Sequence, residues 1–159
     1  MDNFSSCVLD TSVIIKALFS PPRRTAGSAY IREGKTHQSC VALIAALDEQ
    51  GTEVSIPRCA IVEIAAVSKR LADRHAAEEI CTEVESSFRI VPEDQLIEHA
   101  KRIALDEGCP GFDTYFLALA EQTDVPLFTD DSGMHRICGK RAIRSFLMRD
   151  MDPESFLHI

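Results

Sequence analysis

Short apolar runs alternate along the chain with longer segments in which apolar residues recur every three or four positions. The short runs are typical of buried strands, and the longer segments are typical of amphipathic helices. The strand-like runs cover residues 7–9, 54–56, 88–91, 125–129 and 142–146. Strands that alternate with helices favour a parallel sheet covered by helices on both faces. The pattern therefore predicts an α/β fold with a central parallel sheet of four or five strands.

The helix-like segments have recognisable start and stop signals. The predicted helices cover residues 13–18, 39–50, 59–72, 74–84, 92–108, 112–120 and 132–138. Pro57 is expected at the start of the third helix, where its missing N–H costs nothing. The polar segment Ser20–Ser39 contains a predicted exposed loop. Its paired Arg23 and Arg24 are candidates for a phosphate contact.

The composition is that of an ordinary globular protein. Of the 159 residues, 45% are hydrophobic and 26% are charged, which suits one domain with a packed core. No apolar stretch approaches the ~20 residues of a membrane span, and we expect neither membrane association nor a signal peptide. The six cysteines form no Cys-x-x-Cys pair, which favours reduced thiols in a cytoplasmic protein over a zinc site. We predict a single domain over 1–159, with its core at about 7–147 and a short, acidic, peripheral C-terminal tail.

The net charge of -8 argues against a simple nucleic-acid-binding module, which normally presents a basic face to phosphates. It does not argue against an enzyme in which an acidic cluster meets phosphates through metal ions, because bound cations invert the local charge. The chain contains no glycine-rich phosphate loop and no recognisable Ser-His-Asp arrangement. The acidic residues are therefore the main candidates for a functional site.

Four acids stand beside apolar sequence in a way that calls for an explanation. Asp10 and Asp131 each follow an apolar run, so they are expected at the carboxyl ends of two parallel strands, where ligands bind in open α/β sheets. Asp113 begins a helix that is apolar on more than one face, and Glu63 lies among apolar residues in another helix. If the four carboxylates converge, their repulsion favours binding of Mg²⁺ or Mn²⁺, which prefer oxygen ligands.

The hydroxyls of Thr11, Ser12 and Thr129 are candidates to orient the carboxylates or metal-bound water. Each acid also has a plain structural interpretation. The aspartates are candidates for helix N-caps, with Thr11 or Ser12 as an alternative cap for the first helix. Glu63 is a candidate for an ion pair with a buried arginine. Two divalent ions about 4 Å apart can activate water and stabilise the leaving oxygen of a phosphodiester.

Four acidic motifs follow one another along the chain. They are Val8-Leu9-Asp10-Thr11-Ser12, then Ile56-Pro57 with Glu63-Ile64, then Phe112-Asp113 running into Leu117-Ala118-Leu119-Ala120, and finally Leu127-Phe128-Thr129-Asp130-Asp131. In order and spacing they resemble the motifs of PIN-domain nucleases, over roughly Val8–Phe146. The resemblance implies that Asp10, Glu63 and Asp113 match the first three acids of the family. The Thr-x-Asp pattern selects Asp131 as the fourth and ranks Asp130 below it.

The resemblance implies a three-layer α/β/α fold and Mg²⁺- or Mn²⁺-dependent cleavage of single-stranded RNA to a 3′-hydroxyl and a 5′-phosphate. Many members are VapC-like toxins of toxin–antitoxin pairs, and others process ribosomal RNA or act in RNA decay. The expected partners are therefore single-stranded or structured RNA, an antitoxin protein and a second copy of the chain in a homodimer. The segment Ser20–Ser39 is longer than the compact toxin pattern and is a candidate lid, dimer element or partner site. The basic residues near the C-terminus, Lys140, Arg141, Arg144 and Arg149, are candidates to offset the acidic surface.

Two other functions fit the same acids. A non-catalytic PIN-like scaffold that binds RNA or protein would keep the fold without the reaction. An aspartate-based phosphotransferase or receiver-like domain also places acids at strand ends, with Asp10 as the phosphorylated residue. Against it, no second acid stands two residues after Asp10, where Ser12 is found. The leading hypothesis is a metal-dependent endoribonuclease.

Overall fold

A computed structural model describes residues 4–21 and 27–156. Its strands are β1 (Ser6–Leu9), β2 (Glu53–Pro57), β3 (Arg89–Val91), β4 (Leu127–Thr129) and β5 (Ser145–Leu147). They pair in parallel in the order β3-β2-β1-β4-β5. The predicted parallel sheet is therefore confirmed, with five strands.

Helices cover both faces of this sheet. They are α1 (Thr11–Leu18), α2 (Ser28–Glu49), α3 (Cys59–Leu71), α4 (Arg74–Ser87), α5 (Ile97–Glu107), α6 (Gly111–Thr123) and α7 (Ser132–Lys140). Helix α1 packs against α2 and α3, and α3 packs against α4, whereas α6 lies on β1 and β2 and is flanked by α5 and α7. The three-layer α/β/α architecture expected from the sequence is confirmed.

The strand order determines where the chain changes direction across the sheet. From β1 the chain proceeds outward through β2 to β3, and it then returns to the other side of β1 to form β4 and β5. The boundary between β1 and β4 is therefore the topological switch point, at which open α/β sheets bind their ligands. Receiver-like domains have the order 2-1-3-4-5 instead. The receiver-like alternative is thus contradicted by the topology.

The core lies between the sheet and the helices. Cys7, Val8 and Leu9 of β1 are fully buried because β1 is the central strand. In α6 the five consecutive residues from Phe116 to Ala120 are all buried, which confirms that this helix is covered on more than one face. Burial raises the pKa of the Cys7 thiol to about 12 and so keeps it protonated and unreactive.

Helix α2 begins at Ser28, eleven residues before the predicted start at Ser39. The prediction was wrong because the first half of the helix has no apolar stripe and is attached to α1 by polar contacts. Lys16 Nζ lies 2.5 Å from Glu33 Oε2, and a ring nitrogen of His37 lies 2.6 Å from the Lys16 carbonyl oxygen. Such polar contacts cannot be predicted from the spacing of apolar residues. The proposed phosphate contacts Arg23 and Arg24 lie outside the described residues.

The segment after β5 is not peripheral, contrary to the prediction. Short 3₁₀ turns form at Met148–Asp150 and Pro153–Phe156 and pack against α2. The side chains of Met148 and Phe156 are buried, and the Ser39 hydroxyl donates a hydrogen bond of 2.9 Å to the Met151 carbonyl oxygen. The apolar residues after β5, among them Met148, Met151 and Phe156, are interspersed with acids and follow neither a strand nor a helix period, so the sequence did not indicate burial.

Smaller boundary differences have local causes. Pro57 is the last residue of β2, opposite Val91 of β3, and not the start of a helix. The last strand begins at Ser145, later than expected, because Ala142 adopts a left-handed conformation with φ of 57° in the preceding turn. No helix in the described parts of the chain is long and apolar enough to cross a membrane.

Candidate metal centre

Two of the predicted site residues lie at the topological switch point. Asp10 directly follows β1, and Asp131 comes two residues after Thr129, which ends β4. The backbone N–H of Asp10 donates a hydrogen bond of 3.0 Å to the Phe128 carbonyl oxygen, so the two strands stay paired up to this edge. The carboxyl ends of β1 and β4 therefore present both aspartates at one side of the sheet.

The other two predicted acids project from helices. Asp113 is the third residue of α6, and Pro110 occupies the N-cap position of that helix, so Asp113 is not its cap. Glu63 lies in the second turn of α3 and is exposed to solvent. The suggested ion pair between Glu63 and a buried arginine is not observed among the residues that the structure describes.

The Asp10 carboxylate is held by two hydroxyls. Ser12 Oγ donates to Asp10 Oδ2 at 2.5 Å, and Thr129 Oγ1 donates to the same oxygen at 2.7 Å. Asp10 occupies the N-cap position of α1, but its side chain makes no capping hydrogen bond. The capping interpretation is therefore correct for the backbone and wrong for the carboxylate. Thr11 Oγ1 is buried and has no hydrogen-bond partner in the described structure.

Asp131 has a structural contact as well as a place in the candidate site. Its Oδ1 atom accepts a hydrogen bond of 2.9 Å from the Met134 backbone N–H and so caps α7. Its own backbone N–H donates to Thr129 Oγ1 at 2.9 Å. Thr129 thus connects the backbone of Asp131 to the carboxylate of Asp10. The proposed role of this hydroxyl as an orienting group agrees with these contacts.

The four acids interact electrostatically. Burial, and to a smaller extent the negative charges of Asp10, Asp131 and Glu63, together raise the pKa of Asp113 to about 6. Burial also raises the pKa of Asp10, with a smaller contribution of the same sign from Glu63, and the Ser12 and Thr129 hydroxyls oppose this shift. The structure therefore brings the four predicted residues into one electrostatic cluster.

Within the part of the chain that the structure describes, the four acids have no basic partner. Among the described residues, no lysine, arginine or histidine forms an ion pair with any of the four acids. Asp130, which lies between Thr129 and Asp131, differs: its carboxylate contacts both Lys16 and Arg149. The Thr-x-Asp pattern places Asp130 below Asp131 as a ligand, but it does not indicate these two partners. The only sign of Lys16 in the sequence was that it is the single charged residue of α1.

Most of the basic residues suggested for RNA contact are already paired. Arg149 binds Asp130, Lys140 contacts Glu107, and Arg141 contacts Glu121. Arg144 lies over the ring of Phe4, 4.5 Å from its centroid. The basic C-terminal residues therefore mainly hold this protein's own elements together and contribute little free positive charge.

The donors of this centre are chemically suited to a hard divalent cation. They are carboxylate oxygens that repel one another, and no basic side chain among the described residues offsets this repulsion. Mg²⁺ and Mn²⁺ prefer such oxygen donors. However, within residues 4–21 and 27–156 no three His, Cys, Asp or Glu side chains are already arranged to hold a metal ion. The structure thus contains the donors at one edge but not a closed set of ligands.

The raised pKa of Asp113 predicts a pH dependence of stability in the presence of EDTA. Between the ordinary pKa of 3.8 and the folded value of about 6, the folded state binds more protons than the unfolded state, so stability falls as pH rises. With allowance for solvent screening of this half-buried group, wild type should lose about 1 kcal/mol relative to Asp113→Asn between pH 4.5 and 7. Urea unfolding of both proteins measures this difference, and parallel pH curves would contradict the prediction.

Comparison with known proteins agrees with this geometry. A family model described as the PIN domain matches residues 7–140, so the chain belongs to the PIN domain family. The fold is similar to that of a chain in the crystal structure of FitAcB from Neisseria gonorrhoeae, with a TM-score of 0.57 and 20% sequence identity. That alignment covers 91% of this chain and 99% of the other. A comparison with curated proteins finds no match.

Proposed function

We propose that this protein is a metal-dependent endoribonuclease that hydrolyses phosphodiester bonds of single-stranded RNA. Asp10, Glu63, Asp113 and Asp131 would hold Mg²⁺ or Mn²⁺. The observation that carries the proposal is the cluster of four acids at the switch point. No cation among the described residues pairs with them, and the neighbouring charges contribute to the raised pKa of Asp113. The PIN family provides the context, because PIN domains are generally nucleases that use divalent metals.

The chain's own side chains divide the work in this proposal. Ser12 and Thr129 both donate to Oδ2 of Asp10, which leaves Oδ1 for a cation. Asp131 uses Oδ1 to cap α7 and keeps Oδ2 for the site. Asp113, with a pKa of about 6, is mostly ionised at neutral pH and would be free to bind a cation, whereas at lower pH a cation would have to displace its proton. A divalent cation supplies Lewis-acid polarisation of a phosphoryl oxygen and a lowered pKa for water.

The assembly proposed with this activity is that of a toxin-like PIN nuclease: a homodimer that a separate antitoxin protein inhibits. The net charge of -8 and the internal pairing of Lys140, Arg141 and Arg149 support the need for positive charge from outside the chain. A gene for a small helical protein immediately upstream of this one would support the proposal that an antitoxin exists. Sedimentation equilibrium tests the dimer.

A second candidate function is a PIN-like scaffold that binds RNA or protein without cleaving it. It is favoured by the lack of a ready-made metal ligand set among the described residues. The two functions differ in one property that is easily measured. The nuclease must bind Mn²⁺, whereas the scaffold has no need to do so.

Cleavage of a labelled single-stranded RNA decides between them. We expect cleavage with Mn²⁺ or Mg²⁺, loss of cleavage on addition of EDTA, and recovery when Mn²⁺ is restored in excess. The reason is that the acids alone supply no Lewis acid and no strong nucleophile. Cleavage that persists in EDTA would reject the four-carboxylate mechanism. Absence of Mn²⁺ binding in a calorimetric titration would favour the scaffold.

A further inference from the structure

An ion cluster around one buried carboxylate adjoins the candidate metal centre. Its cations, Lys16 and Arg149, have side chains that are 27% and 39% exposed. The Asp130 side chain is only 2% exposed and lies between Lys16 and Arg149. Lys16 Nζ is 2.7 Å from Asp130 Oδ2, and Arg149 Nε is 3.0 Å from Asp130 Oδ1. The backbone N–H of Arg149 also donates to Oδ1 at 3.0 Å, and its Nη2 atom contacts the carbonyl oxygen of Asp130. One carboxylate thus joins α1 to the segment after β5.

Such a cluster is a poor way to gain stability alone. Removing charges from water costs several kcal/mol per ion, and the attraction between them often only balances that cost. Buried ion pairs are better understood where they fix one geometry among several. In this cluster the donors around Asp130 come from both sides, and Lys16 is fixed in turn by Glu33 of α2. The position of residue 130 is therefore determined by three separate elements.

The backbone of Asp130 reaches the metal centre through a short relay. Its N–H donates to Ser12 Oγ at 3.0 Å, and Ser12 Oγ donates to Asp10 Oδ2 at 2.5 Å. The two neighbours of Asp130 also take part in the site. Thr129 donates to the same oxygen of Asp10, and Asp131 is one of the four clustered acids. A shift of residue 130 would thus move the hydroxyls that orient Asp10 and would also move Asp131.

We propose that Asp130, held by Lys16 and Arg149, is a positioning residue that fixes the turn Thr129–Asp131 and thereby the orientation of the Asp10 and Asp131 carboxylates toward a divalent cation. This inference rests on the proposed function, since it assigns the cluster a role in the same site. Asp130 itself binds no metal, because its carboxylate is occupied by the lysine and the arginine. Its role is exerted through the backbone N–H and through its two neighbours.

The variant Arg149→Met tests the proposal, with Mn²⁺ affinity from calorimetry as the main measurement. We expect the dissociation constant for Mn²⁺ to rise about 10-fold, the lower end of the range for loss of a direct partner of a metal ligand, because Arg149 acts on the ligands only through Asp130. The kcat for RNA cleavage should fall while KM changes little. Arg149→Lys, which keeps the charge without the fork, should recover part of the loss. The control Arg89→Met removes the same charge from an exposed pair with Glu53 at the opposite edge of the sheet and should change neither value.

Destabilisation alone must be separated from positioning. Val84→Ala in α4 weakens the core without contacting the cluster, and its Mn²⁺ affinity should equal that of wild type when both are folded. If Arg149→Met does not fold, Lys16→Met makes the same test from the other side of Asp130. Mn²⁺ affinity unchanged in a folded Arg149→Met or Lys16→Met protein would overturn the proposal.

A measurement without metal keeps this inference distinct from the proposed function. The amides of Asp130 and Asp131 donate to Ser12 and Thr129, so amide hydrogen exchange reports the turn directly. We expect their protection to fall in Arg149→Met and to stay unchanged in Arg89→Met. If wild type binds no Mn²⁺, the nuclease proposal fails, and the exchange result still decides whether Arg149 positions the turn. Equal protection in all three proteins would reject the positioning role.

Discussion

Asp113→Asn should reduce Mn²⁺-dependent cleavage of single-stranded RNA by about 100-fold or more, which corresponds to about 3 kcal/mol of transition-state stabilisation. The reason is that Asp113 is the acid whose pKa is raised by all three of its acidic neighbours, so it lies at the electrostatic centre of the cluster. Asparagine keeps the shape of the side chain and removes the charge. Single-turnover cleavage with saturating enzyme measures the effect on chemistry separately from RNA binding.

The matched control for this variant is Asp124→Asn. Asp124 is the C-cap residue of the same helix, α6, and its left-handed conformation with φ of 54° suits asparagine as well as aspartate. The control therefore makes the same chemical change on the same element, away from the first turn. In the presence of EDTA, Asp113→Asn should be at least as stable as wild type, because one repulsive charge is gone. Wild-type cleavage rates in Asp113→Asn would reject the four-acid site.

The positions of the acids were predictable because strand ends and helix starts are local features of the sequence. Asp10 follows the apolar run of β1, and Asp131 follows that of β4. Parallel strands bring their carboxyl ends to one edge, so the convergence of these two acids followed from the fold class. Asp113 was found for a similar reason, since the helix behind it is buried on several faces.

The contacts around the acids were not predictable in the same way. The pairing of Asp130 with Arg149 joins residues on either side of α7 and β5 and depends on how the segment after β5 folds back. The first half of α2 is likewise held to α1 by the ion pair between Glu33 and Lys16, which the pattern of apolar residues does not reveal. Patterns of hydrophobicity report burial, whereas these contacts are polar and specific to three-dimensional geometry.

Asp10 illustrates the difference between what local sequence predicts and what only the three-dimensional structure determines. Its backbone position at the start of α1 is what a capping residue would have. Its side chain instead accepts hydrogen bonds from Ser12 and from Thr129, which is 119 positions away. The sequence is compatible both with a helix-capping carboxylate and with a site carboxylate. The pairing of β4 with β1 distinguishes them, because it brings Thr129 next to Asp10.

The cluster of three aromatic rings, Phe4, Phe128 and Phe146, should contribute strongly to stability, with Phe128→Ala as its clearest test. Phe128 is fully buried, stacks on Phe146 with a centroid distance of 4.9 Å, and meets Phe4 edge-on at 6.1 Å. Truncation of such a ring typically lowers the free energy of unfolding by about 3–5 kcal/mol. Because a domain of this kind is stable by only about 5–15 kcal/mol in total, much of the margin would be lost. Urea unfolding at 25 °C measures the change.

The exposed Phe112→Ala provides the matched control, since its ring is 55% exposed and its loss should change stability by less than about 0.5 kcal/mol. Phe128→Leu keeps most of the buried volume and should cost less than about 1.5 kcal/mol. Phe128 also precedes Thr129, and its backbone carbonyl oxygen accepts the Asp10 N–H, a contact that does not depend on the ring. We therefore expect folded Phe128→Leu to bind Mn²⁺ as wild type does. A loss for Phe128→Ala no larger than that for Phe112→Ala would show that the three rings do not form a structural core.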